Sequence, residues 1–583
     1  MDDLSKALIR RSLNEYRLAH LPTYIALRLF ASRQSQHVES SWTNAIITRK
    51  LLTNNQWAYH KYPIYKGVRD GKLTYRQCVS GSPITILAES LILRRFAQDP
   101  IFQVPQFVYS YLWPTEFGRD KRVFKYYWKG YLARVDQITN TIRTDNHDGV
   151  LVMDLRDFYP TCDRIKIHHS LESLIKQSSM IEDKGKLLTF FDYAMDQCDS
   201  GIPIGTSTGH FLGQIAMREF DSAMHDKFGF CYTRYVDDIS ITCNSKEVDS
   251  IKQFVVEKLK LYILPELNKS KTHFVPADEW DNNLAVNKRP ESNAVTFESI
   301  MRNLSVLISF REDVYETVKR MAIEAGYAMP WERIEVVHKK SLFAKLSYRN
   351  ARYSVAKWML AVKLSPNKII TEMELLKKSL TAVLDQPSDP KQIASELGNK
   401  ARAKEINYTL GRLLYLLPSN EYWRITQTAS QQPETIPIAK IATAIVTSNP
   451  SLVTEFPGNI VNTFCEVFKS RGGSIIRDGF NINVTNSNEV ESAASLLLHG
   501  LVNKEHLSIE GTLNDHVHDY TDFAGFSKIN VRKRIDFSYI DELRTLQLGL
   551  DGSSLTAILR SRFDEDEDMS FSAQRLGSGR SLS

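Results

Sequence analysis

Residues 230–243, "FCYTRYVDDISITC", constrain this chain more than any other stretch. Phe230–Val236 and Ile239–Cys243 are rich in β-branched and aromatic residues, and two adjacent acids, Asp237 and Asp238, separate them. Such runs favour strands, so a β-hairpin with the acids at its tip is predicted. Neighbouring carboxylates repel unless a cation neutralises them or water screens them. A solvated turn is the plainer reading, because Asp is common in turns. A metal site is the sharper one, and it needs a further partner.

Asp154 supplies that partner. In "VLVMDLRDFYP" it ends a continuous apolar run of the kind that forms a buried strand. An Asp there is costly if unpaired. Enough chain lies between Asp154 and Asp237 for a helical crossover and the first arm of the hairpin. Carboxylates converging at that point are suited to two Mg²⁺ ions about 3.5–4 Å apart, with Mn²⁺ a substitute. Mg²⁺ takes oxygen ligands and commonly shares substrate phosphates. Such a pair activates a 3′-hydroxyl and stabilises a leaving pyrophosphate.

The rest of the chain bounds the class. Its 583 residues imply two to four domains. A hydrophobic content of 43% and an aromatic content of 10% describe a packed protein and exclude a disordered one. The net charge of +6 and pI near 8.7 are compatible with a nucleic-acid partner without requiring one. Cysteines at 78, 162, 198, 231, 243 and 465 form no C-x-x-C pair, which argues against zinc ribbons and redox motifs. Sparse thiols fit a reducing cytoplasm, and the charged first twenty residues contain no signal-peptide or membrane-spanning run. A cytoplasmic protein without membrane attachment is expected.

Apolar spacing in residues 1–60 is helical, and residues 61–149 mix basic and aromatic segments such as "KRVFKYYWKGYLARV". Residues 150–300 alternate strand-like and helix-like segments, a mixed α/β pattern. From 305 to 510 the periodicity is mostly helical, as in "SLFAKLSYRNARYSVAKWMLAVKL", and suggests stacked helix pairs in the manner of a helical repeat. The acidic run 564–568 and the Ser/Gly-rich end read as a solvated, disordered tail.

Four motifs in order resemble reverse transcriptases: "DLRDFYP", "SGIPIGTSTGHFLGQIAMREFD", "YVDD" and "LNKSKTHF", over about residues 150–275. Each alone is weak; together they are specific. The resemblance implies an α+β fold: fingers and palm of the reverse-transcriptase type, followed by a large mostly α-helical C-terminal domain. The corresponding division is 1–149 (N-terminal extension and fingers), 150–304 (palm), 305–560 (helical domain) and 561–583 (tail). It implies an RNA-directed DNA polymerase with dNTPs as substrates, DNA as product and Mg²⁺ as cofactor. Asp154, Asp237 and Asp238 would be the catalytic acids and metal ligands, and Lys271 would sit near the leaving pyrophosphate. Leu155, Asp157 and Phe158 would lie along the triphosphate. Tyr159 would be the aromatic gate that excludes a ribose 2′-hydroxyl, and Gly201, Pro203 and Gly205 would shape the loop under the nascent base pair.

Two departures stand out. The family's Gln in P-Q-G is Ile204 here, which puts ordinary template copying in question. Leu112 stands where related bacterial enzymes carry a basic residue, leaving Lys121, Arg122, Lys125 and Lys129 as candidate triphosphate cations. No zinc-finger endonuclease, RNase H-like acidic cluster or maturase extension is recognisable. The long helical region after the palm is similar to bacterial abortive-infection (AbiK-like) reverse transcriptases. That resemblance implies antiphage defence, untemplated or protein-primed synthesis, a covalent DNA product and a homo-oligomer. A retron-like enzyme with an RNA partner and a catalytically silent nucleic-acid-binding scaffold are the alternatives. Tyr520 and Tyr539 are conceivable primers that no motif singles out. His168-His169 faces two directions on a helix and reads as surface. The stretch 119–134 reads either as a strand-binding patch or as a packed helix with a solvated face.

Overall fold

The computed structural model describes most of residues 57–509, with interruptions of which the longest are 115–122, 282–294, 335–350, 386–395 and 474–481. Its first elements are two long antiparallel strands, β1 (Tyr59–Arg69) and β2 (Lys72–Gly81), with an irregularity between Tyr65 and Gly67. This hairpin was not predicted. Only its last residues, from Cys78, form a buried run, so the alternation that marks a half-buried strand is weak.

Helix α1 (Pro83–Gln98) starts at Ser82, whose hydroxyl accepts from the Thr85 N–H, with Pro83 in the first turn. Helix α2 (Tyr127–Thr144) leads to the strand β3 (Gly149–Asp154), in which Gly149, Val150, Leu151 and Met153 are buried. Helices α3 (Arg164–Gln177), α4 (Lys184–Asp196) and α5 (Ser207–Phe228) make the crossover. They lead to β4 (Tyr232–Tyr235) and β5 (Asp238–Cys243), then α6 (Val248–Tyr262) and β6 (His273–Pro276). The sheet order is β4-β5-β3-β6, every neighbour antiparallel. The predicted hairpin therefore exists, but its first arm is shorter than the apolar run. Gly229–Cys231 form a 3₁₀ turn after the α5 C-cap, so pairing begins at Tyr232.

One apolar core spans Trp57 to Leu259 and joins the α1 region to the four-stranded sheet. Phe96 lies 4.5 Å from Phe102, 5.6 Å from Phe191 and 5.0 Å from Phe211, ring centre to ring centre. Each such buried ring contributes on the order of 2–3 kcal/mol.

A second core is built by α7 (Phe297–Phe310), α8 (Glu312–Glu324), α9 (Ala351–Lys363), α10 (Pro366–Asp385), α11 (Glu396–Leu416), α12 (Tyr422–Ala429), α13 (Ile436–Thr447) and α14 (Gly458–Ser470). Sequential helices α7–α8, α10–α11 and α12–α13 pack on one another. The boundary expected at 305 falls inside α7: Phe297, Ile300, Met301 and Leu304 are all buried in the second core, so the helix cannot be divided. The region is not wholly helical either, since β7 (Ile482–Val484) and β8 (Leu507–Ile509) pair in parallel. Short runs of three residues carry too little periodicity to read. The two cores are bridged by the β1–β2 hairpin. Tyr65 and Leu73 pack against the helical core, Tyr65 lies 5.5 Å from Phe456, and the Tyr75 hydroxyl donates to the Glu455 carbonyl at 2.7 Å. No described helix is long and apolar enough to cross a membrane. The tail 561–583, its acidic run, and Tyr520 and Tyr539 lie outside the described residues, as do residues 1–56.

Candidate active site

The antiparallel register puts Asp154, the last residue of β3, directly opposite Asp238, the first of β5. Asp237 occupies the tip between β4 and β5, and its carbonyl accepts the Leu155 N–H at 3.2 Å. Like charges in facing positions destabilise a sheet. The effect is visible on Asp237. Burial first, then the charges of Asp238 and Asp154, push its carboxyl up to about 7, while the positive charge of Arg76 on β2 opposes the rise. Three carboxylates in one partly buried place are a hard-oxygen donor set, which fits Mg²⁺ or Mn²⁺.

Asp154 is held from the far side. Asn268 Nδ2 donates to its Oδ2 at 3.1 Å, the Asn268 N–H donates to its carbonyl at 2.7 Å, and Lys271 Nζ lies 3.2 Å from Oδ1 and 3.1 Å from Oδ2. Lys271 is half exposed, so this ion pair is weak in water and open to exchange. The structure thus brings Lys271 to the acids. It also adds Asn268, which lay in the quoted "LNKSK" turn without being singled out.

The tip is pinned by a network that the sequence does not announce. Val236, just before Asp237, has φ +58, a left-handed conformation rare for a β-branched residue and worth about 1–3 kcal/mol of strain. Both of its peptide groups are engaged. Its N–H donates to Ser110 Oγ at 2.9 Å, and its carbonyl accepts from Arg234 Nη1 at 2.9 Å. Arg234, 1% exposed, also donates to Asp221 Oδ1 at 2.7 Å, Asp221 Oδ2 at 2.6 Å and Gln214 Oε1 at 2.8 Å. The Tyr232 hydroxyl completes the set on Asp221 Oδ1 at 2.6 Å. Gln214 and Asp221 lie in a quoted motif and Arg234 in the first arm of the hairpin; only the fold shows that they hold the acids' turn.

Tyr159 is buried beside the acids. Its hydroxyl is 2.9 Å from His210 Nδ1 and 3.2 Å from the Tyr111 hydroxyl, and the Tyr111 ring stacks on His210 at 4.1 Å. Burial lowers His210 to about 3, so the imidazole is neutral and Nδ1 can accept the Tyr159 proton. Burial also raises Tyr159, which stays a phenol. Gly201, at φ +64, packs so tightly that a Cβ would lie 1.9 Å from the Tyr159 carbonyl. The next N–H, of Ile202, donates to that carbonyl at 2.9 Å. Gly205, at φ +96, touches the β1–β2 hairpin: a Cβ there would meet the Tyr62 hydroxyl at 3.0 Å. Pro203 approaches Gly209 at the start of α5, where a Cβ would lie 1.8 Å from the Pro203 carbonyl. Ile204 is buried, and its carbonyl accepts the Val79 N–H at 2.7 Å.

The remaining expected residues are placed as follows. The Leu155 side chain is buried and its N–H is taken by Asp237, so it builds the floor of the site. Asp157 sits in a left-handed turn, φ +48, ahead of the short helical turn Phe158–Thr161, and Phe158 is buried against Gly213. Lys125 is tied by its N–H to the Leu112 carbonyl, Lys129 is exposed on α2, and Lys121 and Arg122 lie outside the described residues. The stretch from 127 to 134 is a helix packed under the hairpin: Arg134 Nη2 donates to Ser240 Oγ at 2.6 Å. His168 Nδ1 bonds Asp192 at 2.7 Å.

Residues 115–291 match the family described as reverse transcriptase (RNA-dependent DNA polymerase). The chain carries a reverse transcriptase domain. It is an enzyme of the RNA-directed DNA polymerase class. A solved structure of telomerase from Candida albicans, in complex with a TWJ fragment of telomeric RNA, is similar over 64% of this chain and 68% of that one, at 11% identity and a TM-score of 0.26. No curated protein matches. All three acids, Tyr159, the Gly201–Gly205 loop and Lys271 fall within the reverse transcriptase domain. Arg76 and Tyr111, which also face the acids, precede it.

Proposed function

We propose that the reverse transcriptase domain extends DNA from dNTPs at the cluster of Asp154, Asp237 and Asp238. The convergence of these three carboxylates at one end of the sheet carries the reading. They would hold two divalent cations, which when bound supply charge neutralisation to the attacking hydroxyl and the leaving pyrophosphate. The chain's own residues do the rest. Asn268 and Lys271 orient Asp154, and Arg234 with Ser110 fixes the turn that presents Asp237. Arg76 on β2, and Lys271 once it exchanges from Asp154, provide positive charge for the triphosphate beside the turn at Asp157 and Phe158. Tyr159, held by His210 and Tyr111, fills the space of a ribose 2′-hydroxyl.

In this reading residues up to 149 act as N-terminal extension and fingers, 150–296 as palm, and the helical region stands where a thumb would. Its contact with β1–β2 through Tyr65, Leu73 and Tyr75 supports a fixed rather than a clamping thumb. That feature, Ile204 in place of Gln and the resemblance to abortive-infection enzymes favour untemplated, protein-primed synthesis by an oligomer in antiphage defence. The test incubates purified protein with labelled dNTPs and Mg²⁺, followed by denaturing electrophoresis with nuclease or protease treatment. Label that migrates with the protein and is released by protease is the expected result. Incorporation released by denaturation alone moves the retron-like reading ahead, and no incorporation at all with dNTPs overturns the polymerase reading.

A further inference from the structure

The opposite end of the same sheet holds a second cluster of a different chemistry. The α2–β3 loop carries Asp145 and His147, and the 3₁₀ turn before β4 ends at Cys231. Asn146 between the first two is left-handed, φ +54, and the N–H groups of Asp145 and His147 donate back to the carbonyls of Thr141 and Ile142. This fixed loop turns both side chains toward Cys231. The Cys231 Sγ lies 3.5 Å from His147 Nε2 and 3.7 Å from Asp145 Oδ2, and His147 Nε2 lies 3.9 Å from the same Asp145 oxygen. These are close to the edges of a tetrahedral ligand set, about 3.4–3.6 Å when metal–sulfur, metal–nitrogen and metal–oxygen bonds are about 2.3, 2.05 and 2.1 Å.

We propose that Cys231, His147 and Asp145 bind one zinc ion, which clips the α2–β3 loop to the base of the acid-bearing hairpin. The competing reading of a Cys, a His and an Asp is a nucleophilic triad. In a triad the acid faces the ring nitrogen remote from the nucleophile. Here thiol and carboxylate both face Nε2, so the three donors surround a point and do not form a relay. Thiolate and imidazole together select zinc over magnesium, and a carboxylate completes a three-ligand set whose fourth position faces solvent. Composition hid the site, because its ligands come from two separate segments and make no C-x-x-C pattern. It is independent of the catalytic acids, which lie roughly 17 Å away along six residues of β3.

The experiment uses full-length chelator-treated protein titrated with Co²⁺ as a spectroscopic stand-in, then with Zn²⁺ alone as competitor. An Asp237→Asn background lowers cation affinity at the catalytic end. The expected result is a thiolate-to-cobalt charge-transfer band that saturates at one ion per chain and is displaced by Zn²⁺. Cys231→Ser abolishes the band, His147→Gln weakens binding at least tenfold, and Cys243→Ser leaves it intact. Zn²⁺ raises the melting temperature of the Asp237→Asn protein but not that of the Asp237→Asn, Cys231→Ser protein. Absence of the band, or its persistence in Cys231→Ser, overturns the proposal. If Cys231→Ser does not fold, loss or persistence of the band in Asp145→Asn combined with His147→Gln decides in the same way.

Discussion

The two ends of the β4-β5-β3-β6 sheet are built from the same strands and hold opposite kinds of charge problem. At the tip, three hard carboxylates crowd together and the fold supplies buried scaffolding, Arg234, Asp221, Gln214 and Ser110, to keep them there. At the base, a thiol, an imidazole and a carboxylate meet on two short backbone turns with far less reinforcement. The difference teaches where the cost of function is carried. Repulsion among the acids is sustained by a buried network behind them. The base cluster has no comparable repulsion and needs only two turns of fixed geometry.

The sharpest break of that comparison is Asp237→Asn. Loss of one ligand from the tip is expected to cut dNTP incorporation by on the order of a thousandfold or more. It removes a charge from a repelling cluster, so the variant is expected to melt no lower than wild type in chelator. Steady-state incorporation and thermal melts check both arms. Equal incorporation by the variant would remove the tip from the chemistry. Next in size is Asp221→Asn, which leaves Arg234 buried without its counter-charge. Such a loss costs about 3–5 kcal/mol. Denaturant unfolding should show it, and incorporation should fall as the strained Val236 turn loosens. Stability within 1 kcal/mol of wild type would mean that the network is not what holds the tip.

Much of the tip could be read from the residues alone. The hairpin, the pairing of its acids with Asp154, and the nearness of Lys271 follow from local strand propensity and from motif order. What could not be read was long-range. Ser110 and Arg76 come from a loop and the β1–β2 hairpin, and nothing in their local sequence marks them; Asp221 closes a quoted motif, but its partner Arg234 is seen only in the fold. The β1–β2 strands were missed because buried and exposed positions do not alternate regularly along them. The boundary at 305 was set too late because helical periodicity was read only from there, whereas the buried face of α7 already starts at Phe297. Leu155 shows the converse limit: a motif gives a position, but only the register shows that its N–H belongs to Asp237.

A third effect tests sugar choice. Tyr159→Val removes the ring held by His210 and Tyr111 and should lower discrimination against NTPs by roughly tenfold to a hundredfold. Competition between a dNTP and its NTP measures it. Discrimination equal to wild type would make Tyr159 a packing residue, and would leave the tip's substrate choice to other groups.

A last effect, on stability against pH, separates the tip's supporting shell from its acids. His210 is neutral when folded, with its value lowered to about 3 from an ordinary 6.5. Below pH 6.5 the unfolded chain takes up a proton at this position and the folded one does not. The contribution of a neutral His210 is therefore fully present above pH 6.5 and is lost as pH falls toward 3. The slope from this one group approaches about 1.4 kcal/mol per pH unit in that window. His210→Asn keeps a group able to accept from the Tyr159 hydroxyl but cannot take up the proton. The variant should be less stable than wild type at pH 7, where the imidazole packs between Tyr111 and Tyr159, and should lose stability more slowly on acidification. Urea unfolding at pH 7, 6, 5 and 4 measures the two slopes. Parallel curves would show that acid sensitivity arises elsewhere and that the buried imidazole is not the group that titrates.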